Sequence, residues 1–149
     1  MLTNNWQAIM VYMMNALWEE VMYTKSTDGT GASQGYFPIN FNDGYTTKFI
    51  IGQGNTAAKK TDYNLENEID SSKYECAIQK LYTKTYDSEN SYVKLIGNIT
   101  NKSDDALSVS EIGLTISYNS KTFLYDREVF KDPIVIAPGA SKAFEIKLA

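Results

Sequence analysis

The chain lacks histidine altogether, and it has a single cysteine and three prolines among its 149 residues. Histidine is the commonest general base and the commonest protein ligand of zinc, so its absence argues against an enzyme and against a zinc site. The lone cysteine, Cys76, excludes an internal disulfide, and we expect it to lie in a strand as a small apolar side chain. We therefore predict a protein that is not an enzyme and holds no metal or cofactor.

Positive charge is also scarce. The chain has 14 lysines and arginines against 18 aspartates and glutamates, and the basic residues are scattered rather than clustered. A surface of this kind argues against nucleic acid as a partner. No basic residue precedes Lys25, so the apolar beginning of the chain does not resemble a signal peptide. The apolar run Ala8–Trp18 is too short to span a membrane, and we expect no membrane partner.

The first 25 residues are predicted to form an N-terminal α-helix, which covers residues 3–23 and has Thr3 or Asn4 as its cap. Its apolar arc covers more than half of the helix circumference, wider than packing on one sheet requires. Two interpretations stay open: the helix packs into its own domain, or another chain buries part of it. Methionine and tryptophan favour the second, and the residues that we expect to form the interface are Trp6, Met10, Met13, Leu17 and Trp18.

The rest of the chain predicts a mainly β protein. Residues 26–46 are predicted to be a breaker-rich linker with a first short strand, and residues 47–149 an antiparallel β-sandwich, jelly-roll or immunoglobulin-like, of about seven to nine strands. Tyr63–Ile69 and Tyr74–Tyr86 are two of the strand candidates, and Ala137–Ala140, with Pro138 and Gly139 at its centre, is a predicted turn.

One strand changes phase along its length. Leu107 and Val109 are odd-numbered, whereas Ile112, Leu114 and the apolar residues that follow are even-numbered. A side-chain period of two cannot point both sets inward, so we predict a bulge or bend at Ser110-Glu111.

The charged residues near the end of the chain do not form a recognisable site. Asp126 and Glu128 are two apart in a predicted strand, so they share one face and Arg127 points to the other; we expect a solvated strand face with cross-strand ion pairs. Calcium at Asp104, Asp105 and Asp126 is a weaker alternative, because their spacing fits no EF-hand.

Two further patterns are given a structural interpretation. The segment Gly52–Asp62 is glycine-rich but lacks the spacing of a phosphate-binding loop. The triplets that start at Asn98 and Asn101 match the glycosylation pattern, and we expect them to be turn residues.

Three stretches taken together resemble a family of small structural proteins of tailed bacteriophages and prophages. They are IIGQGNTAAKKTDYNLENEI (Ile50–Ile69), SEIGL (Ser110–Leu114) and FLYDREVFKDPIVIAPGASKAFEIKL (Phe123–Leu148). The resemblance spans roughly residues 50 to 148, and the ending with its Pro138-Gly139 turn is its most specific part. It leaves the N-terminal helix outside and supplies no catalytic residues.

The resemblance implies a β-sandwich that serves as a building block of the phage particle, in the head, neck or tail. Its partners would be copies of itself and other virion proteins, and it would be made in the cytoplasm of the host bacterium. We expect Glu111, Arg127 and the Pro138-Gly139 turn to be architectural. The alternative is a carbohydrate- or receptor-binding module of a fibre or surface adhesin, in which the Gly52–Asp62 loop forms part of the site.

Overall fold

The computed structural model describes residues 1, 3, 24–25, 27–28, 31–32, 46–86, 91–118 and 121–148. Most of the predicted helix over residues 3–23, with all five predicted interface residues, therefore lies outside the described residues. Of that stretch only Thr3 is described, and it lies against a strand of the sandwich. In the part that is described, the regular structure is β-strand with one short 3-10 turn, Ser71–Lys73.

Two antiparallel three-stranded sheets form the fold. The first has the order β3-β6-β7, with β3 at Thr46–Gly52, β6 at Leu107–Tyr118 and β7 at Lys121–Ile136. The second has the order β4-β5-β8, built from Tyr74–Tyr86, Ser91–Asn101 and Ser141–Leu148. A separate pair joins the two-residue strands β1 (Thr24–Lys25) and β2 (Gly31–Ala32). A mainly β, sandwich-like fold is thus confirmed, with six strands in its two sheets.

The core lies between the two sheets and follows the period-two pattern of the strands. Phe49 and Ile51 of β3 are fully buried in it, whereas the neighbouring Lys48 is exposed. Phe144 and Ile146 of β8 enter the same core from the other sheet, and the Phe144 ring stacks on Phe130 of β7 with centroids 6.1 Å apart. One continuous apolar cluster therefore joins the sheets.

The phase change in β6 is confirmed as an irregularity in the first sheet. The register between β6 and β7 shifts between Val109 and Glu111, where Ser110 of β6 stands against residues 130–133 of β7. Leu107 and Val109 before the shift and Ile112 and Leu114 after it all belong to the same core cluster. Asp132-Pro133 lies in this stretch of β7 that does not pair with β6, and β7 continues past it to Ile136.

The turn before β8 is as predicted. Ala140 N donates to Ala137 O at 3.0 Å, and Gly139 at its third position has a φ of 71°, a conformation that favours glycine. The turn is held by the backbone of Asn101, whose own side chain is fully buried and donates to the carbonyls of Asp105 and Ile136 at 2.8 and 2.9 Å. Asn101 is thus the last residue of β5 and supports the adjoining turns, whereas Asn98, which was also expected in a turn, lies inside β5, so that prediction is wrong.

Gly97 in β5 lies where the two sheets pack closely against each other. It pairs with Ile78 on one side and Phe144 on the other, and a Cβ placed on it would overlap the ring of Phe49 from the opposite sheet. Glycine is required here because the facing ring occupies the volume of a side chain.

We predict that Gly97→Ala lowers the free energy of unfolding by about 1–3 kcal/mol, because overpacking forces Phe49 to move. Urea unfolding of the wild type, Gly97→Ala, Phe49→Leu and the double variant measures this. The smaller leucine side chain should partly relieve the added methyl group, so the two changes should be non-additive. Additive effects would contradict a steric origin.

Candidate functional site

Two of the three buried charged residues in the described part of the chain, Glu111 and Arg127, lie on the outer face of the β3-β6-β7 sheet. Ile112 and Leu114 point into the core, so Glu111 and Gly113 between and beside them point to the opposite face. The loop Gln53–Asp70 covers this face. Its ends are pinned to each other, since Gln53 N donates to Asn67 O at 2.8 Å and Ile69 N donates to Ile51 O at 2.9 Å.

This loop was expected to contain a strand at Tyr63–Ile69, and that prediction is wrong. The segment makes a single isolated bridge, Gly52 to Glu68, and otherwise follows an irregular path. Its apolar anchor is Leu65, which is buried over Gly113: a Cβ on Gly113 would lie 2.7 Å from Leu124 and 3.0 Å from Leu65. The missing side chain of Gly113 therefore makes room for Leu65 to dock.

Glu111 holds the loop through its carboxylate, which is fully buried. It accepts four hydrogen bonds: from Gly54 N at 2.9 Å, from Asn67 N at 2.8 Å, from Glu66 N at 3.1 Å and from Arg127 Nε at 2.8 Å. Three of these donors are backbone groups of a loop that has no ladder of its own. A buried carboxylate needs hydrogen-bond donors at most of its acceptor positions, since its removal from water is costly.

The loop glycines are explained by this contact. A Cβ on Gly54 would lie 2.6 Å from Oε1 of Glu111 and 2.6 Å from Cβ of Glu66, and one on Gly52 would overlap Glu111 as well. The glycine-rich segment does bring a backbone amide to an anion, as a phosphate loop does, but the anion is a carboxylate of the same chain.

Arg127 is the cation of the cluster, and its side chain is 3% exposed. Its Nη1 donates to Asp62 Oδ2 at 2.8 Å and its Nε donates to Glu111, whereas Nη2 lies 3.5 Å from Glu66 Oε2, beyond a good hydrogen bond. Burial alone would lower the pKa of the guanidinium, but its hydrogen bonds to Asp62 and Glu111 outweigh burial and raise that pKa. Arg127 is therefore charged at every physiological pH.

Glu66 organises the outer part of the loop. Its Oε2 accepts from Asn55 N at 3.0 Å and Thr56 N at 2.9 Å, and its Oε1 accepts from Thr56 Oγ1 at 2.6 Å. These hydrogen bonds, led by the one from the Thr56 hydroxyl, lower the pKa of Glu66 below its ordinary 4.5. The contribution of Glu66 to stability is thus complete above pH 4.5 and is lost as the pH falls through the depressed folded-state pKa.

Asp126, on the other face of β7, is also buried. It stands opposite Leu114 and Glu128 stands opposite Ile112, so the prediction that the two acids share a face is confirmed. The prediction of a solvated face is wrong, because Asp126 is 1% and Arg127 is 3% exposed. Alternation predicts which face a residue takes but not what covers that face.

The first residues of the chain help to bury Asp126. Met1 and Arg127 exchange backbone hydrogen bonds of 2.7 and 3.1 Å, and Thr3 N donates to Tyr125 O at 2.8 Å, so this segment runs antiparallel along the edge of β7. The Met1 ammonium lies 2.9 Å from Asp126 Oδ1, whereas Oδ2 has no hydrogen-bond partner among the described residues. Burial raises the pKa of Asp126, and the ammonium opposes this.

No metal site or activated nucleophile emerges from the described residues. They include no group of three or more acidic, cysteine or histidine side chains placed to hold a metal ion, and Asp104 and Asp105 are exposed while Asp126 is buried. Burial raises the pKa of the Cys76 thiol, so the thiolate that a nucleophile requires is disfavoured. Within the same residues no helix is long and apolar enough to cross a membrane.

The sequence predicts that Glu111 and Arg127 are architectural, but it does not predict their contacts with Asp62 and Glu66. A signal was present: Glu111 interrupts an apolar strand at its phase change, and the closely spaced glycines Gly52 and Gly54 indicate a close approach by another group. Neither pattern identifies the partner.

Comparison with known proteins gives no identification, since no protein-family model, no curated protein and no solved structure matches the chain.

We predict that Glu111→Gln costs about 3–5 kcal/mol of unfolding free energy, because it removes the one fully buried charge partner of Arg127, which keeps only Asp62 and Glu66, and takes an acceptor oxygen from the loop amides. Urea unfolding followed by circular dichroism measures the change.

Glu75→Gln is the matched control. Glu75 also forms an ion pair, with Lys102 at 3.0 Å, but both side chains are more than half exposed, and the loss should be about 0–1 kcal/mol. Equal effects of the two substitutions would show that burial does not distinguish these pairs and would refute the prediction.

Proposed function

We propose that this chain is a non-enzymatic structural protein of a tailed-phage virion. It assembles through protein–protein interfaces with copies of itself and with other virion proteins, as a head decoration, a neck or collar component or a tail component. The sandwich would be the building block of the particle, and we propose that it has a jelly-roll or immunoglobulin-like topology.

The observation that supports the proposal is where the three stretches of the phage resemblance lie. Ser110–Leu114 supplies Glu111, Phe123–Leu148 supplies Arg127, and Ile50–Ile69 supplies the loop amides and Asp62 that these two residues bind. The stretches are distant in sequence and meet in one buried network. The resemblance therefore covers residues that act together to hold the loop on the sheet, rather than unrelated strands.

The properties of this network suit a particle component. A loop fixed by buried, charge-assisted hydrogen bonds presents the same surface in every copy, and symmetric assembly requires such repeated surfaces. The predicted N-terminal helix would add the contact surface, through Trp6, Met10, Met13, Leu17 and Trp18.

The alternative, a carbohydrate- or receptor-binding module, has one observation in its favour. The Gly52–Asp62 loop contributes several of the residues that line a small cleft, and Arg127 lines the same cleft. A virion protein can combine both roles, so binding at this cleft adds to assembly and does not replace it.

The proposal is tested by incorporation into particles. In phage induced from a host that carries this gene, mass spectrometry of gradient-purified particles should detect the wild-type chain. Met10→Glu combined with Met13→Glu should abolish incorporation, because two charges on the apolar arc cannot be buried at an interface. Light scattering on the purified full chain should show an oligomer that the same variant dissociates.

The matched control puts the same charges on the polar arc of the predicted helix, as Asn5→Glu with Asn15→Glu. This variant should be incorporated and should remain oligomeric. Particles that lack the wild-type chain would contradict a virion role. Equal loss of incorporation in both variants would contradict the assignment of the interface to Met10 and Met13.

A further inference from the structure

The loop over the β3-β6-β7 sheet is attached at two depths. Three of its backbone amides donate to the fully buried carboxylate of Glu111. Asn55 and Thr56 donate instead to the carboxylate of Glu66, whose side chain is 42% exposed. The inner attachment is therefore closed to solvent, whereas protons from solvent can reach the outer one.

The outer attachment serves one bounded segment, residues 55–61, which we call the flap. Just before the flap, Gly54 N donates to Glu111 at 2.9 Å. Just after it, Asp62 Oδ2 accepts from Nη1 of buried Arg127 at 2.8 Å. Both ends of the flap are thus fixed to the sheet by groups that lie largely out of water.

Between its fixed ends the flap is held mainly by Glu66. Asn55 N and Thr56 N donate to Glu66 Oε2 at 3.0 and 2.9 Å, and Thr56 Oγ1 donates to Oε1 at 2.6 Å. The other hydrogen bonds described for the flap form a local turn, in which Lys59 N donates to Asp62 Oδ2 and Asp62 N donates to Lys59 O. No flap residue belongs to the core cluster, so little buried apolar surface opposes opening.

All three hydrogen bonds from the flap require Glu66 as an acceptor. An ionised carboxylate accepts on both oxygens, whereas protonation turns one oxygen into a donor. The charged groups around Glu66 are Arg127 of β7, Glu111 of β6, and Lys59 and Asp62 of the loop itself. The nearest cation, Arg127, is buried and favours the ionised form.

The sign of the pH dependence follows from these contacts. The hydrogen bonds from Thr56, led by that of its hydroxyl, lower the pKa of Glu66 below its ordinary 4.5, and Arg127 adds a smaller effect in the same direction. A group whose pKa is lowered by folding stabilises the closed form fully above its ordinary value. That stabilisation is lost as the pH falls through the lowered pKa.

We propose that the flap is released by acid: protonation of Glu66 frees Asn55 and Thr56, while Glu111 keeps the rest of the loop on the sheet. Thr56, Ala57 and other flap residues line the small cleft beside Arg127, so release of the flap widens that cleft. The inference concerns the loop alone and is independent of a virion role and of carbohydrate binding.

The experiment is native-state hydrogen exchange of the full chain by NMR, followed from about pH 6 to about pH 3 and expressed as protection factors. The protection of the Asn55 and Thr56 amides should fall severalfold over this range, because protonation favours the open flap. The amides of Gly54 and Asn67, which donate to Glu111, should keep their protection.

Glu66→Gln keeps the size of the side chain but cannot titrate, and its amide offers one acceptor oxygen in place of two. The Asn55 and Thr56 amides of this variant should be weakly protected at every pH in the range. Glu68→Gln is the matched control, because Glu68 is an exposed glutamate of the same loop that accepts none of the three flap hydrogen bonds. It should titrate like the wild type, and circular dichroism verifies that both variants are folded.

Three results would overturn the inference. The first is unchanged protection of Asn55 and Thr56 in the wild type down to about pH 3. The second is loss of protection at Gly54 and Asn67 together with the flap amides, which would mean that the loop or the whole domain opens as one unit. The third is a pH dependence in Glu66→Gln equal to that of the wild type, which would assign the transition to another group.

Discussion

The structure depends on one buried carboxylate. Glu111 lies at the irregularity of the central strand β6, points away from the core and accepts hydrogen bonds from three loop amides and from Arg127. A carboxylate removed from water is tolerated only when its acceptor positions are filled, so the loop must fold onto the sheet for β6 to be stable as it is. In turn, the loop has no ladder of hydrogen bonds and needs Glu111 as the acceptor for its amides. Each part requires the other.

Strand β7 also carries buried charges that are paired. Arg127 on its outer face neutralises Glu111 and Asp62, while Asp126 on its core side faces the ammonium of Met1. Adjacent residues of one strand are thus covered from both sides, by the loop on one face and by the first residues of the chain on the other. This explains how the adjacent residues Asp126 and Arg127 can both be buried, since each is paired with an opposite charge. Arg127 is also one of the residues that line a small cleft between the loop and the sheet.

The sequence predicts the parts of this fold that rest on local patterns. Alternation predicts β4 at Tyr74–Tyr86 with its bounds, the phase change predicts the irregularity at Ser110, and Pro138-Gly139 predicts the turn. The loop and the site cannot be predicted from the sequence, because their contacts join residues that are far apart along the chain. Gly54 and Asn67 bind a carboxylate 57 and 44 residues away, and no periodicity encodes such a pairing. Arg127 lies in a strand whose alternation predicts its face correctly, but the loop that covers that face follows from tertiary packing alone.

The claim that Glu111 holds the loop is tested most directly by native-state hydrogen exchange of the loop amides. The amides of Gly54, Glu66 and Asn67 donate to buried Glu111, whereas those of Asn55 and Thr56 donate to the exposed carboxylate of Glu66. The account predicts that the first three exchange as slowly as amides of the central strand β6, although they lie outside any strand, and that the latter two exchange faster. Rapid exchange of all five, at rates typical of an open loop, would contradict it.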